Sequence, residues 1–125
     1  MARLRAALAT FVGTRNYHNM TVRHTASDPR VMRYVMSFTC SEPFVLKNDS
    51  LPNGCEFVRL NVLGQSFIIY QIRKMIGAAI LVASGRAPLA AMTSISQVSF
   101  LLLTVTIYAL TINHAHNLTR SPYHL

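Results

Sequence analysis

Residues 64–77 read Gly-Gln-Ser-Phe-Ile-Ile-Tyr-Gln-Ile-Arg-Lys-Met-Ile-Gly. Apolar side chains recur at helical spacing from this stretch onward to position 83, so the pattern predicts a long buried helix. Ser66 is a favourable residue to cap the start of the helix, and Gly85 suits its end. Arg73 lies on the edge of the apolar stripe, where a charge without a partner is costly. The sequence therefore predicts that an anion faces Arg73.

The chain is strongly basic for its 125 residues, with twelve Lys and Arg against four Asp and Glu and a formal net charge of +8. Hydrophobic residues make up 51% of the sequence and charged residues 13%, which excludes a disordered polar chain. A basic excess of this size suggests nucleic acid or an anionic membrane surface as a partner. A mitochondrial or simply basic protein is the alternative interpretation.

The two cysteines give no sign of a metal centre. Neither Cys40 nor Cys55 has a Cys or His at the spacing of a zinc site. We therefore expect no metal ligands and two buried, reduced thiols in an intracellular protein.

The segments before the central stretch predict an α+β fold. A helix is expected over residues 3–12, a polar loop over 13–21, strands over 31–40 and 55–63, and a loop with a hairpin connection over 42–54. The two strands should pair antiparallel, with the long helix covering one face of the sheet. Two strands alone form a marginal sheet, so more strands are expected in the complete fold.

The C-terminal segment differs in character from the rest. No charged residue occurs between Ala87 and Asn113, and residues 95–112 are long enough to cross a bilayer. Ser, Thr and Gln in this segment weaken a membrane span, and its β-branched residues also fit a buried strand. We therefore expect residues 1–91 to form one domain and residues 92–125 a divergent apolar tail that is a candidate membrane segment.

Three segments resemble one enzyme family. Residues 11–21, the Glu-Pro-Phe at 42–44 and residues 64–77 are similar to the "VGTHNFHNYT", "EEPF" and "GQSFMxHQIRKMxG" segments of eukaryotic TruA-type tRNA pseudouridine synthases. The segments occur in the family's order and spacing, and the resemblance covers roughly Leu4 to Leu89. It implies an α+β enzyme with two similar halves around a basic RNA cleft. Such an enzyme isomerises uridine to pseudouridine in tRNA without a metal or an organic cofactor.

The resemblance implies a catalytic role for Arg73. In the family, the Arg of the "QIRKM" helix pairs with the catalytic Asp, which stays ionised and positioned. That Asp attacks the nucleoside, the glycosidic bond breaks, and the base is rotated and rejoined through carbon. From the residues alone, the alternative is that Arg73 merely pairs with Glu42 or Glu56.

The resemblance also implies RNA contacts for Arg15, His18, Asn19 and Lys74, which correspond to the family's loop and helix near the cleft. The alternatives are a loop whose polar groups satisfy the local backbone and a solvated lysine. Three aromatic residues could stack on a base, but core packing is the expected role for each: Tyr17, Phe67 and Tyr70.

The sequence departs from the family at the nucleophile. The family carries it in an Arg-Thr-Asp segment followed by Gly, which this sequence lacks, and Asp28 and Asp49 both lie in turn-like contexts. The resemblance thus indicates the C-terminal part of an incomplete catalytic domain, inactive by itself, that binds tRNA or another structured RNA in the nucleus or mitochondrion. The alternatives are a non-catalytic RNA-binding module and a small protein anchored in a membrane through residues 95–112.

Overall fold

The computed structural model describes residues 1–94. The elements follow one another in this order: α1 (Ala2–Ala9), β1 (Gly13–Asn16), β2 (Met32–Cys40), β3 (Phe44–Asn48), β4 (Leu51–Phe57), β5 (Leu60–Gly64), α2 (Gln71–Ala83) and α3 (Ala91–Ser94). Short 3₁₀ turns occupy His18–Met20 and Pro29–Val31. This part of the chain is therefore mixed α and β with antiparallel sheets, as the sequence predicts.

The strands form two antiparallel sheets. One has three strands in the order β1-β2-β5, and the other is the β3-β4 hairpin. The predicted pairing of the segments 31–40 and 55–63 is confirmed where β2 meets β5, from Val35 opposite Gly64 to Cys40 opposite Leu60. The predicted extents are wrong at three places. The segment 55–63 is divided between β4 and β5, the predicted loop at 42–54 contains β3 and the start of β4, and the predicted loop at 13–21 begins with β1.

A bulge in β2 decides which of its side chains face the core. The pairing with β5 shifts by one residue between Val35 and Ser37. An extra residue moves every later side chain to the opposite face of the strand, so Phe38 becomes buried beside Val35. Simple alternation predicts instead that Phe38 shares a face with the exposed residues Met32, Tyr34 and Met36.

Helix α2 begins later than the sequence predicts. It has 13 residues, and Ser66 lies outside it, in the segment 65–70 that follows β5. Tyr70 has a φ of 64°, a left-handed conformation that a right-handed helix of L-residues does not include. The predicted end is confirmed, because Gly85 has a φ of 77°, which suits glycine after a helix. Helix α2 is therefore of ordinary length.

The core lies between helices α1 and α2 and one face of the three-stranded sheet. Helix α1 contacts both α2 and β2, and α2 also contacts the turn at His18–Met20. The central buried side chains are Leu8, Tyr17, Val35, Phe38, Met75 and Val82. Both cysteines are free thiols and only half-buried, so the expected full burial of Cys40 and Cys55 is wrong.

Within residues 1–94, no helix has the length and apolar character that a bilayer span requires. The predicted candidate membrane segment, residues 95–112, lies outside the described residues.

A matched pair of leucines tests this core. Leu8 is fully buried in α1, whereas the side chain of Leu63 in β5 is 57% exposed. We expect Leu8→Ala to lower the free energy of unfolding by about 2 to 5 kcal/mol, because it removes buried apolar surface and leaves a cavity. Leu63→Ala should cost less than about 1 kcal/mol. Urea denaturation of both variants measures the difference, and equal losses would contradict the assigned core.

Candidate nucleic-acid interface

Lys74, in the first turn of α2, joins two of the three segments that carry the family resemblance, residues 11–21 and residues 64–77. Its Nζ donates hydrogen bonds to the carbonyl oxygen of Thr21 at 2.8 Å and to that of Asn19 at 3.4 Å. The hydroxyl group of Thr21 in turn donates to the carbonyl oxygen of Ile69 at 2.9 Å. Burial of the ammonium group lowers the pKa of Lys74. Residues 17–21 are thereby fixed against the start of α2.

Tyr17 anchors the other side of the same loop. Its ring is buried, its hydroxyl donates to the carbonyl oxygen of Phe11 at 2.8 Å, and its N–H donates to the carbonyl oxygen of Val31 at 2.9 Å. Burial raises the pKa of Tyr17 to about 12. The expectation that Tyr17 packs in the core is therefore confirmed.

His18 follows Tyr17 and is held by Asn16. The side-chain oxygen of Asn16 accepts a hydrogen bond from the His18 N–H at 3.1 Å and lies 2.8 Å from the His18 Nδ1. The Asn16 amide donates to the carbonyl oxygen of Ala26 at 2.8 Å. Asn16 thus satisfies local polar groups, while His18 and Asn19 both remain partly exposed at the loop surface.

Arg73 projects from the first turn of α2 and is exposed. Its guanidinium carbon lies 5.8 Å from the centroid of the Tyr70 ring, within the range of a cation–π contact. Tyr70 is 47% exposed, so its expected place in the core is wrong, whereas Phe67 packs partly buried against the core as expected. In the part of the chain that the structure describes, no carboxylate forms an ion pair with Arg73.

The acidic residues, which all lie within residues 1–94, form no ion pair with Arg73. Glu42 accepts a hydrogen bond from Arg5, and Glu56 belongs to the β3-β4 hairpin. Asp28 binds the guanidinium of Arg30 at 2.9 Å and the Nδ1 of His24 at 2.7 Å, which together hold the pKa of Asp28 well below its usual range. The alternative pairing of Arg73 with Glu42 or Glu56 is therefore wrong.

A pair of arginines lies on the three-stranded sheet. Arg15 in β1 stands directly opposite Arg33 in β2. The Nη1 of Arg33 donates to the hydroxyl oxygen of Ser66 at 2.9 Å, and its Nε is buried without a hydrogen-bond partner among the described residues. Sequence reasoning selected Arg15 but missed Arg33, because its position in an alternating strand carries no signal until β1 is recognised as its neighbour.

The predicted RNA-binding residues thus lie on β1, on the turn that follows it, and on α2, which is hydrogen-bonded to that turn. Arg15 and His18 belong to β1 and the turn after it, and Asn19 is bonded to Lys74 in α2. Guanidinium, imidazole and amide groups are hydrogen-bond donors suited to phosphate and base edges. Among residues 1–94, no group of three or more His, Cys, Asp or Glu side chains could hold a metal ion. The guanidinium, imidazole and amide donors make this surface suited to binding an anion.

Removing the ammonium group of Lys74 should release the loop. We expect Lys74→Met to lower the free energy of unfolding by about 1 to 2 kcal/mol, since two backbone carbonyls lose a charged donor. Amide hydrogen exchange of residues 17–21 should accelerate. Lys47→Met, on the exposed face of the β3 hairpin strand, serves as the control and should leave this exchange unchanged. Unaltered amide exchange of residues 17–21 in Lys74→Met would contradict the conclusion that Lys74 fixes this loop against α2.

Tyr17 supplies a prediction on pH. Because its folded-state pKa of about 12 exceeds the value of about 10 in an unfolded chain, its contribution to stability is complete below pH 10. That contribution should be lost as the pH rises from about 10 to 12. Tyr17→Phe should cost about 1 kcal/mol at neutral pH through the lost hydrogen bond to Phe11, and should flatten the decline above pH 10. Denaturation at several pH values tests both parts, and an unchanged alkaline decline would refute the assignment.

Comparison with known proteins assigns the chain to a family. Residues 7–99 match the family described as tRNA pseudouridine synthase. The human protein named pseudouridylate synthase 1 homolog is 42% identical over 81 residues, which are 65% of this chain and 18% of that protein. The tRNA pseudouridine synthase 1 of Yarrowia lipolytica is 42% identical over 76 residues, or 61% of this chain and 13% of the relative. The chain therefore spans less than a fifth of the length of these relatives. Since the family match covers well over half of its residues, the chain belongs to the tRNA pseudouridine synthase family.

Proposed function

We propose that this chain forms part of the active site of a tRNA pseudouridine synthase, an isomerase, and contributes Arg73 to it. The observation that carries the proposal is that Arg73 lies exposed against the Tyr70 ring with no carboxylate paired to it among the described residues. In the proposal, Arg73 binds an aspartate supplied from outside this sequence. A guanidinium beside that aspartate favours its ionised form and fixes its position for attack on uridine.

The surface next to Arg73 is proposed to bind tRNA or another structured RNA. Arg15, His18 and Asn19 are its contacts, and Lys74 both holds the loop and adds positive charge. The hydrogen bonds from Lys74 to Asn19 and Thr21 support this proposal, because they join the loop to the helix that bears Arg73. The net charge of +8 supports a polyanionic partner. The proposed chemistry uses neither a metal nor an organic cofactor.

The chain is further proposed to need another polypeptide segment for catalysis. Asp28 is held by Arg30 and His24, and Asp49 lies at the turn of the β3-β4 hairpin, so neither is a partner for Arg73. In this proposal residues 1–91 form the C-terminal part of an incomplete catalytic domain, and residues 92–125 form a divergent apolar tail. The expected place of action is the nucleus or the mitochondrion.

A non-catalytic RNA-binding module is the second candidate. It is favoured by the same engagement of Asp28, because a chain whose Asp28 is held by Arg30 can still present a basic surface. The two candidates differ in whether Arg73 matters for turnover when a nucleophile is supplied.

A chimeric enzyme separates them. The matching 81 residues of the human relative are replaced by the corresponding part of this chain, and tritium release from tRNA labelled at uridine C5 is measured. We expect the chimera to turn over, and Arg73→Ala within it to reduce the rate about a hundredfold or more, because the paired carboxylate loses its counter-charge. Arg59→Ala, whose guanidinium lies over the Phe44 ring, is the matched control and should retain activity.

The full chain alone should release no tritium. Turnover by the chain alone would refute the need for a second segment. A chimera that stays fully active with Arg73→Ala would overturn the catalytic role and leave the RNA-binding module as the better account.

A further inference from the structure

We propose that Arg15, Arg33 and Ser66 form a binding site for a phosphate of the RNA backbone. The proposal rests on the proposed function, since RNA is the source of the phosphate that it names. The site lies at the end of the three-stranded sheet where the segment 65–70 begins, and Arg33 is its new and central residue.

The strand register brings two positive charges together. Arg15 and Arg33 are direct cross-strand partners in the antiparallel β1-β2 pair, so their side chains leave the same face of the sheet. Like charges in this position repel each other. Within residues 1–94 no ion pair joins either guanidinium to a carboxylate. An anion bound between the two groups would remove the repulsion.

Ser66 completes a set of donors at this position. The Arg33 Nη1 donates to the Ser66 hydroxyl oxygen at 2.9 Å, which leaves the hydroxyl hydrogen available to donate to a ligand oxygen. The Arg33 Nε is buried without a hydrogen-bond partner among the described residues. The guanidinium of Arg33 is therefore only partly hydrogen-bonded within the described structure. The site therefore combines two guanidinium groups and one hydroxyl, with little internal neutralisation.

A phosphodiester fits this set of donors. Its two non-bridging oxygens can each accept hydrogen bonds from a guanidinium, and its charge is permanent near neutral pH. The chain carries twelve basic residues against four acidic ones, and it belongs to a family described as tRNA pseudouridine synthase. A carboxylate of another polypeptide is the competing ligand, and it becomes an outcome of the test.

Charge variants of the full chain test the site by tRNA binding. Arg15→Gln and Arg33→Gln are compared with Arg59→Gln, which removes the same charge at the opposite end of the β2-β5 pair. The dissociation constant of an unmodified tRNA transcript is measured over a series of salt concentrations. Each site variant should weaken binding about tenfold and reduce the salt slope by about 0.7 to 0.9, as expected for one lost phosphate contact. The Arg59→Gln control should change the dissociation constant less than about twofold.

Inorganic phosphate gives a second readout that does not depend on RNA. Phosphate should raise the midpoint of thermal unfolding of the wild-type chain and of Arg59→Gln, because it binds the folded state. Phosphate should no longer raise the midpoint in Arg15→Gln. Because the Arg15 side chain is exposed, we expect this variant to fold even if Arg33→Gln does not.

The outcomes separate the inference from the proposed function. If the wild-type chain binds tRNA and all three variants bind equally well, the inference and the proposed RNA contact of Arg15 are wrong, while the proposed catalytic role of Arg73 stands. If phosphate gives no shift and the site variants instead lose association with the remaining segment of a relative, a carboxylate is the ligand and the inference is again wrong. If the wild-type chain does not bind tRNA at low salt, both proposals fail.

Discussion

The hydrogen bonds from Lys74 to the loop carbonyls of Asn19 and Thr21 hold together the two segments on which the candidate site depends. The bond from Thr21 to Ile69, just before α2, and the packing of the turn at His18–Met20 against α2 add to this contact. A lysine suits this position because its flexible stem carries an ammonium group with three donors. The same residue thus determines local structure and contributes charge to the surface that is proposed to bind RNA.

An imbalance of charge characterises the start of α2 and the β1-β2 pair. Arg73 rests on the Tyr70 ring, and Arg15 faces Arg33 across two strands, while the acidic residues pair elsewhere or lie in the hairpin. Stacking on an aromatic ring stabilises a guanidinium without neutralising it. The guanidinium groups of Arg73, Arg15 and Arg33 would therefore be stabilised by an anion from another molecule. This constraint links the family membership to the proposed roles of Arg73 and Arg33.

The sequence predicts element types better than element ends or faces. Periodicity identifies β2 and α2, but it cannot detect the bulge after Val35, which depends on pairing with β5. The six residues before α2 have helical spacing, yet Tyr70 takes a left-handed conformation and Gln71 becomes the first helical residue. At the site, the resemblance indicates Arg73 and Lys74, whereas Arg33 emerges only from the strand register.

The most direct measurement of the central account is a nuclear magnetic resonance titration of the isotope-labelled chain with tRNA. The account predicts that backbone shifts concentrate at residues 13–21, at Arg33 and at residues 65–74. The β3-β4 hairpin, residues 44–57, should be unaffected. Shifts confined to the hairpin, or no specific shifts at low salt, would contradict the claim that RNA binds the surface that Lys74 holds together.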